Sequence, residues 1–317
     1  MTRISTPLKR GDQLEVAIER LAFGGDGLGK YDGIVTFVPN VVPGDRVKIS
    51  LDKIKKNRLE GSVVEMLEAS PLRIVPRCRH FEVCGGCTWQ NLSYPDQLKF
   101  KHQQVEETLQ HLGGFSREVL AGDGAGRAGV MQPILGCAEP WGYRNKMEFS
   151  FGEEGELGDN GDLMLGLHLP GRRYDVFNLE ECFLPSEKFA AVVRKVRGWA
   201  QEEGLQVFRG KTHAGAEHGF LRNLMIREGQ NTGDLMVNLV TADQDFPAHA
   251  KERFVGLFQD ETGLPPITSL LWTRVKQGKG RTTTREVTVL AGSPVLHEEL
   301  RLPDGQILRF DIAAEAF

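Results

Sequence analysis

Between residues 7 and 69 the chain alternates apolar and polar side chains in short runs, and this most narrows what it can fold into. The runs are "DQLEVAIERLAF", "GIVTFVPN", "DRVKISLDKI" and "LEGSVVEML", and "GGDGLGKYDG", "VVPGD" and "KKNR" separate them. A period of two marks half-buried strands, and the Gly, Pro, Asp and Asn clusters mark turns. About five short strands in roughly sixty residues hide their edges best by closing, which predicts a small barrel of the oligonucleotide-binding type over residues 1–70. From Arg46 to Arg58 six basic residues (Arg46, Lys48, Lys53, Lys55, Lys56, Arg58) face one acid, Asp52. A solvated hairpin tip and a phosphate-binding strip both fit that pattern.

A cysteine-rich stretch over 71–95 comes next. In "CRHFEVCGGCTWQ" Cys78, Cys84 and Cys87 are spaced C-x5-C-x2-C. Gly85-Gly86 lets the backbone turn sharply enough for neighbouring thiolates to reach one centre. A fourth ligand would come from His80, Cys137 or Cys182. Four thiolates suit either zinc or an iron–sulfur cluster. Zinc ribbons usually bring a second C-x2-C pair, and this chain has none, so the spacing leans towards iron and sulfur.

Residues 96–317 read as a second, α+β domain with a mostly antiparallel sheet. A helix is expected in "SYPDQLKFKHQQVEETLQHLGG", with Leu98, Val105, Leu109 and Leu112 on one inward face, Pro95 in the first turn and Gly113-Gly114 as the stop. "REVLAGDGAGRAGVMQP" reads as a small-residue loop. Strands are expected in "YRNKMEFSFG", "DLMLGLHLPG" and "RRYDVFNL". A helix capped by Ser186 and stopped by Gly204 then buries Phe189, Val192, Val193, Val196 and Trp199. "FLRNLMIREG", "GDLMVNLVTA", "TSLLWTRV", "REVTVLAG" and "QILRFDIA" read as further strands, with a helix around "AKERFVGLFQD". "GAGRAG" at 124–129 matches the dinucleotide fingerprint, but polar loop precedes it and Pro133 follows closely. Without a strand before and a long helix after, it does not read as a nucleotide site, and a dehydrogenase built on it is a distant third reading that absence of nicotinamide binding would exclude.

Composition sets limits without choosing. No apolar run approaches a membrane span, and "MTRISTPLKRGDQ" has no apolar core of a secretory signal. Cytoplasmic location and reduced cysteines are therefore expected. The formal charge of −4 gives no global nucleic-acid signature, so binding must rest on local patches.

"CRHFEVCGGCTWQNLSYPDQLKFK" resembles the signature of bacterial iron–sulfur RNA uracil-5-methyltransferases, which methylate uridines in 23S rRNA. Residues 7 to 69, with the Gly25-Asp26-Gly27 turn, are similar to that family's TRAM domain. "YRNKMEFSFG", "GLHLPGRRYDVFNLEECFLP" and "FLRNLMIREGQNTGDLMVNLVTA" resemble its central domain, so the likeness covers essentially the whole chain. The resemblance implies that Cys78, Cys84, Cys87 and Cys182 ligate a [4Fe–4S] cluster that organises structure, closing a loop of roughly a hundred residues. Cys137 falls where the family needs no cysteine.

In the family's chemistry a cysteine thiolate adds to uracil C6, C5 takes the methyl group from S-adenosylmethionine, and a carboxylate removes the proton. None of the five cysteines here stands in that position. With "FDIAAEAF" ending the sequence after an apolar strand, the expectation is a fragment. Its Rossmann-like methyltransferase domain would be absent, and S-adenosylmethionine would bind only the full-length protein. No catalytic or methyl-donor residue is assigned.

RNA contact is expected at three places. One is the barrel patch with Lys53, Lys55, Lys56 and Arg58. Another is Tyr143, Arg144, Asn145 and Lys146, which combine stacking, base-edge bonding and charge. The third is "RVKQGKGRTTTR" with Arg274, Lys276, Lys279, Arg281 and Arg285, where no acid intervenes. The protein is expected to be a monomer whose partner is ribosomal RNA. The alternative is a non-catalytic RNA- or partner-binding protein with a cysteine-held zinc or iron–sulfur centre.

Overall fold

The computed structural model describes residues 8–122, 129–153, 162–172, 175–211, 217–259, 264, 266–277 and 283–316. The chain divides into two compact units, residues 1–82 with 87–138 and residues 83–86 with 139–317.

The first unit is built on a closed barrel of β1 (Gln13–Leu21), β2 (Gly27–Tyr31), β3 (Ile34–Val38), β4 (Arg46–Lys55) and β5 (Arg58–Glu68), in the order β1-β2-β3-β5-β4. Along β1, Leu14, Val16 and Ile18 point inward while Gln13, Glu15 and Ala17 face solvent. They meet Val47, Ile49 and Leu51 of β4 and Leu59 of β5 in the barrel core. β2 and β3 join through Asp32 and Gly33, both at positive φ (47° and 79°), the conformation of a type I′ hairpin turn. Parallel pairing of β3 with β5 closes the sheet.

A buried carboxylate ties this barrel to the chain that leaves it. Asp45 is 1% exposed and accepts the N–H groups of Val42 (2.7 Å) and Ser70 (2.9 Å). Arg73 grips it with both Nε (2.8 Å) and Nη2 (2.7 Å). The loop entering β4 and the segment leaving β5 thus share one ion, and the charge is satisfied from four sides.

Helix α1 (Tyr94–His111) starts at Ser93, whose Oγ accepts the N–H of Asp96. Its inward face differs from the expected one. Phe100 is buried against Leu21, Val42 and Leu92, while Val105 is 47% and Leu112 86% exposed. Gln97 Nε2 donates to the carbonyls of Trp89 (2.9 Å) and Leu92 (3.0 Å), and Gln104 Nε2 to that of Ala22 (2.6 Å). Glutamines that satisfy loop carbonyls define the docked face here, so apolar periodicity pointed to the other side. The short helix α2 (Arg117–Ala121), capped by Ser116, lies where a loop was expected and buries Leu120.

The second unit holds β6 (Lys146–Glu153), β7 (Leu163–His168), β8 (Val176–Asn178), α3 (Glu187–Glu202), and the two-residue pair β9 (Gly210–Lys211) and β10 (Glu217–His218). It continues with β11 (Leu221–Glu228), β12 (Leu235–Ala242), α4 (Ala248–Gly256), β13 (Ser269–Gln277), β14 (Thr283–Gly292), β15 (Val295–Arg301) and β16 (Ile307–Ala313). A seven-stranded sheet runs β14-β13-β12-β11-β6-β7-β8, with β12 and β13 parallel and the other neighbours antiparallel. Phe189, Val192, Val193, Val196 and Trp199 of α3 and Phe254 of α4 pack on Leu224, Ile226, Val237 and Leu239 of the sheet. A second cluster joins Met225, Met236 and Leu271 to Leu296 of the β15–β16 hairpin. β15 had no counterpart in the sequence reading, because His297, Glu298 and Glu299 interrupt its apolar signal.

Ser186 stands at the N-cap of α3, yet its side chain makes no capping bond. Its hydroxyl donates instead to Glu228 Oε2 (2.6 Å), and Lys188 Nζ donates to Oε1 (2.5 Å). Glu228 is buried, and a buried carboxylate needs those donors more than an exposed helix end does. Gly204, at φ 61°, follows the last turn.

Replacing Asp45 by Ala strands the Arg73 guanidinium and two N–H groups, and is expected to cost about 3–5 kcal/mol. Urea unfolding should show the midpoint falling, with Asp45→Asn losing less; an unchanged midpoint in Asp45→Ala would refute this role.

Candidate nucleic-acid interface

The β4–β5 hairpin carries the barrel's cations beyond its core. Lys53 Nζ (3.2 Å), Lys55 Nζ (3.8 Å) and Arg58 Nη2 (2.7 Å) all reach the carboxylate of Glu60. The Lys53 hydrogen bond, with the charges of Lys53, Arg58 and Lys55, holds the Glu60 carboxyl below its ordinary range. Lys56 is exposed at the turn. One carboxylate among four cations leaves the tip positive, and all four side chains face water. Arg46 and Lys48 are different: Arg46 pairs with Glu15 and Glu68, and Lys48 with Glu65. The count along the sequence therefore overstated the strip, because the neutralising acids lie on neighbouring strands.

Phe37 was not singled out from the sequence, although "IVTFV" contains its signal. Thr36 and Val38 are fully buried, so Phe37 must face outward, and the Arg58 guanidinium lies over its ring at 5.6 Å. A guanidinium held over an aromatic ring on a basic hairpin offers a flat surface to a nucleobase.

Tyr143, Arg144 and Asn145 form a short exposed run ahead of β6. The Arg144 N–H donates to Leu184 O (2.9 Å), and Asn145 O accepts the Glu228 N–H (2.9 Å). With the backbone held on both sides, the three side chains project, Tyr143 being 57% exposed. Lys146 departs from them: it is half-buried, and its Nζ reaches Ala316 O at 3.4 Å.

At the β13–β14 hairpin the basic residues are engaged by acids. Arg274 reaches Glu286 (2.7 Å), Asp245 (3.3 Å) and Asp243 (3.6 Å), and its guanidinium lies 5.6 Å from the Trp272 ring centroid. Lys276 reaches Glu286 (3.3 Å) and Asp243 (4.0 Å). The Glu286 hydrogen bond comes first in raising the Arg274 pKa, and Arg274 in turn holds Glu286 below the usual carboxylate range. The sequence segment contained no acid; the fold supplies three, from the loop after β12 and from the facing strand. Lys279 and Arg281 lie outside the described residues.

Cys78 is buried, Cys84, Cys87 and Cys182 are half-buried, and Cys137 is exposed. The Gly86 N–H donates to Cys84 Sγ at 3.3 Å, a bond of the kind that steadies a ligating thiolate. Gln90 Oε1 accepts the Cys78 N–H at 3.2 Å. Among the described residues, no three His, Cys, Asp or Glu side chains gather into a group able to hold a metal ion. "GAGRAG" lies mostly outside the described residues, and what precedes it is helix α2 rather than a strand. Among the described residues no helix is long and apolar enough to cross a membrane.

Residues 7–64 match the TRAM domain family. Over 98% of its length the chain is 33% identical to an uncharacterized RNA methyltransferase of Caldanaerobacter subterraneus, covering 63% of that protein. A Chlorobaculum tepidum protein of the same description is 33% identical over 98% of the chain and 62% of its own length. A third, from Halalkalibacterium halodurans, is 34% identical over 78% of the chain and 49% of its own length. The chain thus spans roughly half to two thirds of the curated relatives it matches. Among solved structures, the Pyrococcus abyssi tRNA (uracil-54, C5)-methyltransferase in complex with S-adenosyl-L-homocysteine shares the fold. Its TM-score is 0.63, with 22% identity over 95% of this chain and 60% of that one.

These matches overturn the expectation of a catalytically incomplete fragment from which the Rossmann-like domain is absent. Some 98% of the chain aligns with two curated RNA methyltransferases and 95% of it with a solved one. The apolar strand β16 is paired with β15 along its full length, from Ile307 opposite Arg301 to Ala313 opposite Val295. The chain thus carries a TRAM-family segment at its start and is similar along 98% of its length to RNA methyltransferases.

Proposed function

We propose that these residues belong to an S-adenosylmethionine-dependent enzyme that methylates C5 of a uridine in RNA. The observation that carries this reading is the 33% identity to RNA methyltransferases along 98% of the chain, with a TRAM domain at its start. The Pyrococcus abyssi structure, described as a uracil C5-methyltransferase with S-adenosyl-L-homocysteine, supports the base and the donor. The TRAM domain together with the cysteine signature supports 23S rRNA as the substrate.

In this reading the chain's described residues hold RNA. Lys53, Lys55, Lys56 and Arg58 take phosphates, while Tyr143, Arg144 and Asn145 take an unstacked base and its backbone. Lys146, Arg274 and Lys276 would contact RNA only by exchanging the partners that now engage them, and Lys279 and Arg281 belong to the same proposed patch by sequence alone. Cys78, Cys84, Cys87 and Cys182 hold a [4Fe–4S] cluster, for which sulfur is the right donor and the Gly86 N–H···Sγ bond the right support. When bound, the cluster cross-links the chain at four positions. Exposed Cys137 takes no part.

Disrupting the gene should remove a 5-methyluridine from 23S rRNA, read by nuclease digestion and mass spectrometry. Its loss from tRNA instead would move the substrate, and an unchanged 5-methyluridine content in all RNA would overturn the reading. For the purified chain binding single-stranded RNA, Lys55→Gln with Arg58→Gln should lower the slope of log affinity against log salt by about 0.7 per charge removed. Anaerobic analysis should find about four irons and four sulfides per chain, lost in Cys182→Ala. Zinc without sulfide would refute the cluster.

A further inference from the structure

The run from Gly142 to Asn145 is held between two segments of the second unit. On one side Phe183 O accepts the Gly142 N–H (2.9 Å) and Leu184 O accepts the Arg144 N–H (2.9 Å). On the other side the Glu228 N–H donates to Asn145 O (2.9 Å). Gly142, at φ 67°, turns the chain into this position, which glycine adopts without strain. The main chain is thus fixed from both flanks while the side chains of Tyr143, Arg144 and Asn145 stay in water.

The two flanks belong to different elements. Residues 180–186 lead into α3, and Glu180 is fastened to that helix by Arg194 Nη1 on its carbonyl (2.5 Å) and Arg197 Nη2 on its carboxylate (2.7 Å). Glu228 is the last residue of β11, in the sheet. Its carboxylate bridges from one flank to the other: Ser186 Oγ donates to Oε2 (2.6 Å) and Lys188 Nζ to Oε1 (2.5 Å). Ser186 follows Leu184 by two residues, so this bridge lands beside the carbonyl that holds Arg144. Glu228 therefore grips the run with its N–H and the opposite flank with its side chain, and it is only 7% exposed. A carboxylate behind residues that meet a polyanion weakens binding through its field. Only its geometry can offset that cost.

We infer that Glu228 is a positioning residue, which holds Tyr143, Arg144 and Asn145 in the arrangement that receives an unpaired nucleotide of RNA. The inference rests on the RNA-binding reading above and adds the residue that sets its geometry. A run already in place binds without the cost of ordering it, and a loosened one does not. Field and geometry predict opposite signs for loss of this carboxylate. Glu228→Gln keeps the shape, removes a negative charge and takes the carboxylate from Lys188, so field alone would tighten RNA binding, whereas loss of the bridge weakens it.

The test uses the full chain. Without RNA, hydrogen exchange read by mass spectrometry should be on the order of ten-fold faster in Glu228→Gln for the amides of Gly142, Arg144 and Glu228. Binding of a fluorescein-labelled oligouridylate of about twelve nucleotides, followed by anisotropy, should weaken about ten-fold in Tyr143→Ala. It should weaken about five-fold in Glu228→Gln. Added to Tyr143→Ala with Arg144→Gln, Glu228→Gln should cost less than about two-fold more, because the run it positions is already lost. Added to Lys55→Gln with Arg58→Gln, in the other unit, its effect should multiply in full. Ser186→Ala removes one donor and no charge; it should act in the same direction, and it decides the matter if Glu228→Gln does not fold. Unchanged exchange in a folded variant would overturn the bridge. So would binding as tight as the parent's in Glu228→Gln while Tyr143→Ala is weakened, or a full effect of Glu228→Gln in the Tyr143→Ala with Arg144→Gln background. If Tyr143→Ala with Arg144→Gln binds like the parent, or the parent binds no oligouridylate, the RNA reading of the run falls and the inference with it, even where exchange has quickened.

Discussion

Burying the Asp45 carboxylate commits the barrel to one arrangement. An ion without solvent is tolerated only when several donors surround it, and here they come from Val42, Ser70 and Arg73. Those residues lie on both sides of β4 and β5, so the two strands cannot slip against each other without stranding the charge. The hairpin that joins them inherits that register. Lys53, Lys55 and Arg58 can share Glu60 because Lys55 stands opposite Arg58 and Lys53 opposite Glu60. The position of the cationic tip is thereby a consequence of a carboxylate at the other end of the same strands.

The charges also show why a formal total of −4 says little about partners. Arg46 and Lys48 meet acids across the sheet, and Arg274 and Lys276 share Asp243 and Glu286. Such exposed pairs contribute little stability, but they remove cations from the pool that a polyanion could engage. The β4–β5 tip has one acid among four bases, and there the field remains. That local surplus is countable only once the fold shows which acids meet which bases.

The period of two in "DQLEVAIERLAF" and "DRVKISLDKI" was legible because one face of each strand is wet and the other packs the barrel core. The same logic placed Phe189 through Trp199 on the inner face of α3. It failed where polar side chains do the packing. In α1, Gln97 and Gln104 serve carbonyls of neighbouring loops, while Val105 and Leu112, expected to face inward, stand exposed. It failed again at β15, where charged residues occupy a half-exposed strand, and at Ser186, whose capping role was displaced by buried Glu228. Gln104 and Ser186 meet partners 82 and 42 residues away, and local patterns carry no information about such partners.

The interface divides along the same line. The cations of the hairpin tip could be read because they are neighbours in the chain and leave the barrel together. The acids that engage Arg274 could not, because Asp243 and Asp245 arrive from the loop after β12.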